Sequence, residues 1–384
     1  MLKKDSTYAV FEQPGKEFHF ENFTIPDLKE GEILIRNSYC TICRSDLNTF
    51  IGKRTEKTPA LLGHEVIGCI EKFGPDAPLT DLRGSKLTIG DRITWAIYAS
   101  NPKSYYSLKG IPQKAEGVFK YGHEQVTSES NLHGGLSEYT ILRKNTPIIC
   151  IGNKVPDPVA ALINCSVATV AGAIRMAGNL EGKTILISGT GMLGIIACAM
   201  AKTCLAGLVI ASDIDSSRSE VAKNFGADLT ILSNQASAMK QSLNQLLPET
   251  NTKIDIVLEF SGVPEVMENT LHILDIGGIA VWVGATFPQR DLYLNAEYLI
   301  RNLLSIKGLH NYNEQDFLFG VQFIEQNHHT FDFSGLVFAG YTLNKVNEAF
   351  KYALEKNPFR VGINLAAKNF LTNPHFLKLA KEDV

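Results

Sequence analysis

At 384 residues the chain is long enough for two or three domains with sizeable cores. Hydrophobic residues make up 45% and charged residues 20%, the balance of an ordinary soluble globular protein, and a net charge of −3 gives no electrostatic case for binding nucleic acid or an anionic membrane. Seven cysteines, an odd number without regular small spacing, argue against a disulfide framework and for a reducing compartment. The opening M-L-K-K-D-S-T-Y-A-V lacks the apolar stretch of a signal peptide, and no run approaches the ~18 apolar residues of a membrane span. The expected location is the cytoplasm.

From residue 6 to about 165 the chain alternates short apolar segments with turn residues. Y-A-V-F at 8–11, E-I-L-I-R at 32–36, V-I-G-C-I at 66–70 and D-R-I-T-W at 91–95 read as strands, punctuated by Pro14, Pro26, Gly31 and Gly74–Pro75. This predicts an irregular, mostly β domain. Within it, Cys43 and His64 are residue types that bind zinc, each with a carboxylate close in sequence, Asp46 and Glu65. A catalytic zinc needs three protein ligands and an open fourth position. Cys165, in A-L-I-N-C-S-V-A-T, is the nominee for the third. Read separately, Cys43 reads first as a buried thiol and His64 as a structural histidine; it is the set with Cys165 that points to a metal. Cys40, three residues before Cys43, reads as a core thiol despite the C-x-x-C spacing.

At Lys183 the texture changes. T-I-L-I-S is a short buried strand, G-T-G-M-L-G follows, and I-I-A-C-A-M-A-K is an apolar helix. L-V-I-A-S-D is a second strand and S-R-S-E-V-A-K-N-F a second helix. D-I-V-L-E-F, a helix from about 264 to 274, I-A-V-W-V-G and L-L-S-I-K-G come next. Such strand–helix alternation predicts an α/β, doubly wound parallel sheet of Rossmann type. In its first turn Gly189 permits the bend, Gly191 leaves room for a pyrophosphate and Gly194 lets helix and strand approach. Helix N-terminal amides then face the phosphates. Asp213 closes the next strand, where a carboxylate accepts from ribose hydroxyls and repels a 2′-phosphate, so NAD is expected over NADP. The tail 369–384 reads as an amphipathic helix.

The ordered motifs C-R-S-D, G-H-E, G-G-L-S-E-Y, C-S-V-A-T, G-T-G-M-L-G and D-I-D-S-S-R, over about residues 8–364, resemble the zinc-dependent medium-chain dehydrogenases, the alcohol dehydrogenase family. K-Y-G-H-E at 120–124 and G-L-H-N-Y at 308–312 resemble a subgroup associated with camphor-alcohol and phosphonate breakdown. The resemblance implies a GroES-like catalytic domain at 1–165, an NAD-binding Rossmann domain at 166–310, and a return to the catalytic domain with a tail at 311–384. It implies the two-Cys, one-His zinc ligand set already known for alcohol dehydrogenases. Asp46 would fix a ligand imidazole, and Glu65 would support the metal or serve as an alternate ligand. By matching position, Arg44 and Arg360 would meet the pyrophosphate and Arg218 the adenine. Thr169 and Leu193 would lie against the nicotinamide, and Val283, Leu309 and Asn311 at its carboxamide; the apolar ones read equally well as core. Ser45 would take the alcohol proton and pass it to the nicotinamide ribose. Many relatives then carry a histidine where this chain has Asn48, and an amide holds no proton at neutral pH, so a water chain, His123 or His310 is expected to finish the path. Trp95 and Ile97 would wall the substrate pocket.

Relatives often hold a second, structural zinc with four close cysteines. The matching stretch 96–121 has none. One catalytic zinc per chain is expected, with the lobe packed instead by Tyr105, Tyr106, Leu108 and Phe119. The function expected is hydride transfer between an alcohol, a secondary one foremost, and NAD, in a homodimer or homotetramer. A polyol dehydrogenase, a zinc-free quinone or enone reductase, and an NAD-binding structural or regulatory protein without activity are the rival readings.

Overall fold

A computed structural model of the chain describes residues 5–232, 241–242 and 253–367. The expected tail helix at 369–384 lies outside them. Two compact units emerge, Met1–Asn164 with Asp332–Val384, and Cys165–Phe331.

The strands in chain order are β1 (Asp5–Val10), β2 (His19–Thr24), β3 (Ile33–Ile42), β4 (Glu65–Phe73), β5 (Arg92–Trp95), β6 (Tyr98–Ala99), β7 (Phe119–Lys120), β8 (Tyr139–Leu142) and β9 (Ile148–Cys150). The second unit adds β10 (Thr184–Ser188), β11 (Leu208–Asp213), β12 (Leu229–Leu232), β13 (Ile254–Glu259), β14 (Leu274–Trp282) and β15 (Ser305–Gly308). β16 (Val337–Thr342) and β17 (Arg360–Asn364) belong again to the first.

In the first unit the sheet order is β16-β17-β3-β4-β5-β9, with β8 also on β3. β3 is its spine, antiparallel to β17, β4 and β8. Two registers matter for the site. Thr41 pairs with Glu65, so the residues just beyond, Cys43 and His64, leave adjacent strand ends. Val361 pairs with Ile42, which brings Arg360 to the same corner. Behind the sheet, Phe11, Phe18, Phe50 and Phe350 form an aromatic cluster, with Phe18 and Phe350 centroids 4.7 Å apart.

The cysteine-free lobe is packed differently from expectation. Tyr105, Tyr106 and Leu108 are exposed, Leu108 at 76%. They occupy a single helical turn, Tyr105–Leu108, capped by Ser104, and none of its residues is buried. The core here comes from β6, β7 and the residue after, namely Tyr98, Phe119 and Tyr121, all buried. The Arg143 guanidinium lies 3.6 Å from the Phe119 ring centre, and Tyr121 Oη bonds Thr146 Oγ1 at 2.6 Å. Of the four side chains expected to pack the lobe, Phe119 alone does so.

Among the described residues of the second unit six parallel strands run β12-β11-β10-β13-β14-β15. Counted within the unit, that is the 3-2-1-4-5-6 order of the dinucleotide-binding fold, with its switch point between β10 and β13. The helix Met192–Thr203 is buried along most of its length, which is why its sequence is apolar all round. The chain leaves this unit at Asp332, later than the expected 311. The helix Glu314–Asn327 accounts for the difference. A Cβ on its Gly320 would stand 3.3 Å from Ala168, and Asp316 is ion-paired with Arg175 at 2.6 Å, so it packs on the helix Ala168–Ala177 of the same unit. The segment Asp157–Ala177 is long and apolar enough by composition to cross a membrane, but 83% of its most apolar stretch is buried in protein, as in a core helix.

Candidate active site

Cys43 ends β3's excursion and caps the helix Arg44–Phe50. Its backbone N–H donates to Asp46 Oδ2 at 2.8 Å, and Asp46 Oδ1 accepts from Gly63 N–H at 3.3 Å. The same carboxylate stands 3.3 Å from His64 Nδ1, an ion-pair distance rather than a formed hydrogen bond. Asp46, 1% exposed, thus ties the loops of both residues together and turns the His64 ring. With Nδ1 toward Asp46, Nε2 is left for a metal, and Ser45 Oγ lies 3.3 Å from it. Burial alone would make the His64 ring less basic. Asp46 first and Cys43 next outweigh it, and the pKa is raised well above the ordinary histidine value.

Cys165 lies in a π-helical turn, Ile163–Val167, inserted before the helix Ala168–Ala177. Such turns recur at functional sites because the extra residue re-aims a side chain. The ligand atoms of Cys43, His64 and Cys165 lie within 4.8 Å of one another. Around a tetrahedral zinc, sulfur at about 2.3 Å and imidazole nitrogen at about 2.0 Å put ligand atoms roughly 3.5–3.8 Å apart. Small side-chain movements would close this set onto one ion, and two thiols with one imidazole suit zinc chemically.

Glu65 and Arg360 complete the corner. Glu65 is fully buried and accepts from Arg360 Nε at 2.6 Å, Arg360 Nη2 at 2.9 Å and Thr41 Oγ1 at 2.7 Å. Arg360 Nη2 also lies 3.5 Å from Cys43 Sγ. Arg360 thus bridges Cys43 and Glu65, and its guanidinium grips the Glu65 carboxylate from two sides. Arg44 is exposed and donates to Asn357 Oδ1. Cys40 is buried beside Gly63 and Gly135, its thiol pushed well up by burial first and by Asp46 next, the environment of a core thiol. Trp95 and Ile97 are buried at 0% and 2%.

Sequence reasoning names His123 but misses its partners. The His123 ring centre is 4.8 Å from that of His64. His123 Nδ1 is 3.0 Å from Glu56 Oε1, and Glu56 pairs with Arg54 Nε at 2.9 Å. Burial first, with the positive charges of His64 and Arg54, pushes the His123 pKa down to about 4 against the pull of Glu56. Its ring is neutral at neutral pH. Arg54 N–H in turn donates to the carbonyl of Asn48 at 3.1 Å. Asn48 is half-buried and His310 is exposed.

In the second unit, several residues expected at the cofactor follow or end strands of the parallel sheet. Gly189 follows β10 with φ +87°, and a Cβ there would stand 2.8 Å from Ser261 N. A Cβ on Gly194 would stand 2.0 Å from the Gly189 carbonyl oxygen, so no larger residue fits. Gly191 meets only Arg218 Nη1, at 3.4 Å. Asp213 ends β11; its Oδ2 accepts from Thr190 N–H at 2.7 Å and from Thr190 Oγ1 at 2.9 Å. Its Oδ1 accepts from Ile214 N–H at 2.8 Å and Asp215 N–H at 3.0 Å. Val283 follows β14, and Leu309 and Asn311 follow β15, with Val283 and Leu309 buried and Asn311 left-handed at φ +59°. Leu193 is half-buried in the first turn of Met192–Thr203, and Thr169 is buried in Ala168–Ala177.

Two family models match, the alcohol dehydrogenase GroES-like domain over residues 29–152 and the zinc-binding dehydrogenase over 193–326. The chain is 24% identical over 367 residues to a D-arabitol-phosphate dehydrogenase of Enterococcus avium, covering 93% of this chain and 97% of that one. It is 26% identical over 346 residues to a sorbitol dehydrogenase of Bacillus subtilis, covering 88% and 91%. Its fold matches an alcohol dehydrogenase structure from Thermotoga maritima with a TM-score of 0.87 at 24% identity, over 94% of this chain and 99% of that one. With GroES-like and zinc-binding dehydrogenase sequences in that order, a 3-2-1-4-5-6 sheet and a two-Cys, one-His cluster, the chain belongs to the zinc-dependent medium-chain dehydrogenases, the alcohol dehydrogenase family.

Proposed function

We propose that the chain is an NAD-dependent zinc alcohol dehydrogenase, moving a hydride between the carbinol carbon of an alcohol, a secondary one foremost, and NAD, with a ketone or aldehyde as the oxidised product. The observation that carries this reading is the convergence of Cys43, His64 and Cys165 to within 4.8 Å. Zinc held by these residues supplies Lewis acidity, lowering the pKa of a hydroxyl that it binds and polarising a carbonyl in the reverse direction. The protein's part is orientation and proton handling. Asp46 stands at Nδ1 of the His64 ring, which leaves Nε2 for the metal. Ser45 Oγ, 3.3 Å from Nε2, would receive the substrate proton. Asn48 carries no proton further, and neutral His123, beside His64, is the nearest imidazole to continue the path.

One zinc per chain is supported by the cysteine-free lobe with its aromatic core. NAD over NADP is supported by Asp213 at the end of β11, whose carboxylate would repel a 2′-phosphate. An assembly of two or four copies is supported by the outer strand β15 and by exposed Ile276, Ile300 and Leu303 in the nucleotide-binding unit. A cytoplasmic site of action is supported by seven cysteines with no disulfide among the described residues. The names of the relatives, an arabitol-phosphate and a sorbitol dehydrogenase, favour a polyol as the second reading of the substrate. NADH formation from a panel of secondary alcohols and polyols, with and without a chelator, tests both. Chelator-sensitive turnover is expected; no turnover of any member, or turnover indifferent to zinc removal, refutes the reading.

A further inference from the structure

Glu259 is the last residue of β13, at the switch point of the parallel sheet, and it is fully buried. Among the described residues no lysine, arginine or histidine pairs with it. Its carboxylate instead accepts from Ser261 N–H at 2.8 Å, from Ser261 Oγ, and from Gly262 N–H at 3.1 Å to each oxygen. Removing a carboxylate from water without a cation is costly, and burial accordingly pushes this one up to about 7, against the pull of those donors.

Those four bonds fix a loop on which two others rest. Ser261 N lies 2.8 Å from where a Cβ of Gly189 would stand, so the loop forms the floor of the glycine turn. Gly262, at φ +66°, is wedged against the turn after β14, where a Cβ on Gly284 would come within 2.2 Å of Gly262 N. The main chain of Glu259 reaches the same turn, its carbonyl accepting from Val283 N–H at 2.9 Å and Gly284 N–H at 3.2 Å. The next residue, Phe260, donates its N–H to the Ser188 carbonyl at the end of β10. One residue thereby joins three turns, those after β10, β13 and β14. Two of them carry the glycine motif and Val283.

We propose that Glu259 is a positioning residue for the dinucleotide, holding the glycine turn and the Val283 turn in their binding arrangement through the Ser261–Gly262 loop. The inference rests on the reading that the chain binds NAD. It predicts that the two turns lose their mutual setting when the carboxylate is removed, although neither touches the metal ligands' loops in sequence. Glutamine keeps an acceptor oxygen at the same reach; alanine keeps none.

The test uses the full-length, zinc-loaded protein, with NADH binding followed by fluorescence titration. Wild type that fails to bind NADH refutes the NAD reading itself. With wild type binding, Glu259→Ala is expected to weaken NADH binding about tenfold or more, with donors left unpaired. Glu259→Gln is expected to restore it to within about threefold of wild type. The zinc content should be unchanged, and the loss should appear in KM for NAD rather than in kcat. In the cofactor-free protein, amide exchange should quicken in peptides spanning 186–194 and 279–286 and stay unchanged in 33–73. Where Glu259→Ala does not fold, Glu259→Asp, whose shorter side chain withdraws the carboxylate, is expected to weaken NADH binding by a smaller factor with the same exchange pattern. Unchanged NADH affinity in the folded variant, or exchange that quickens evenly across both units, overturns the proposal.

Discussion

Asp46 performs two tasks with one carboxylate. It accepts from the Cys43 and Gly63 backbones, fixing the loops that precede each ligand, and it faces His64 Nδ1. Groups that orient a ligand imidazole in this way typically govern metal affinity by about 10–100-fold. Asp46→Ala is therefore expected to lose zinc to a competing chelator about 10–100-fold more readily than wild type, with Asp46→Asn intermediate because it still accepts from Cys43. Equal zinc retention in all three proteins would show that the carboxylate is only a helix cap. Glu259 makes a prediction of a different kind. Its folded pKa of about 7 lies above the ordinary glutamate value of 4.5, so the folded chain holds a proton that the unfolded chain has released between those pH values. Stability from this group is present below pH 4.5 and falls as pH rises toward 7. The stability of Glu259→Gln relative to wild type should then rise over that window by a few kcal/mol at most, on the order of 1.4 kcal/mol per pH unit. A pH-independent difference in urea unfolding midpoints would contradict it.

At the scale of elements, the glycine turn is the most tightly specified. A methyl group on Gly194 would come within 2.0 Å of the Gly189 carbonyl oxygen, so Gly194→Ala must push helix Met192–Thr203 off β10. That substitution is expected to abolish measurable NADH binding while one zinc is retained; normal NADH affinity would contradict it. This turn was legible in the sequence because strand, turn and helix are consecutive and each carries its own local signal. The metal corner was legible in part. Cys43, His64 and Cys165 could be nominated by residue type, but the partner of Glu65 could not, since Arg360 is 295 positions away and reaches it only through the β17–β3 register. The Glu56–His123 contact, 67 positions apart, was hidden for the same reason. In the lobe the difficulty was direction. Tyr105, Tyr106 and Leu108 are apolar, yet a lone turn of four residues presents too little face to bury them, and composition does not say which way it points. The late return at Asp332 was hidden because Gly320 and Asp316 declare their packing on Ala168 and Arg175 only in three dimensions.

At the scale of the whole chain, one unit supplies a spine strand, β3, with Cys43 just beyond its end, His64 just before the neighbouring β4 and Arg360 opening β17. The other supplies a parallel sheet whose carboxyl edge gathers the glycine turn, Asp213, Val283 and Asn311. The cysteine-free lobe is held by Tyr98, Phe119 and Tyr121. On this reading two sulfurs and one imidazole share a single zinc. Zinc-edge X-ray absorption on the purified protein, with metal content measured on the same sample, tests it most directly. One zinc per chain is expected, with two sulfurs at about 2.3 Å and nitrogen or oxygen ligands at about 2.0 Å, falling to one sulfur in Cys165→Ser. A protein that binds no zinc, one that binds two per chain, or a zinc without two sulfur ligands would contradict it.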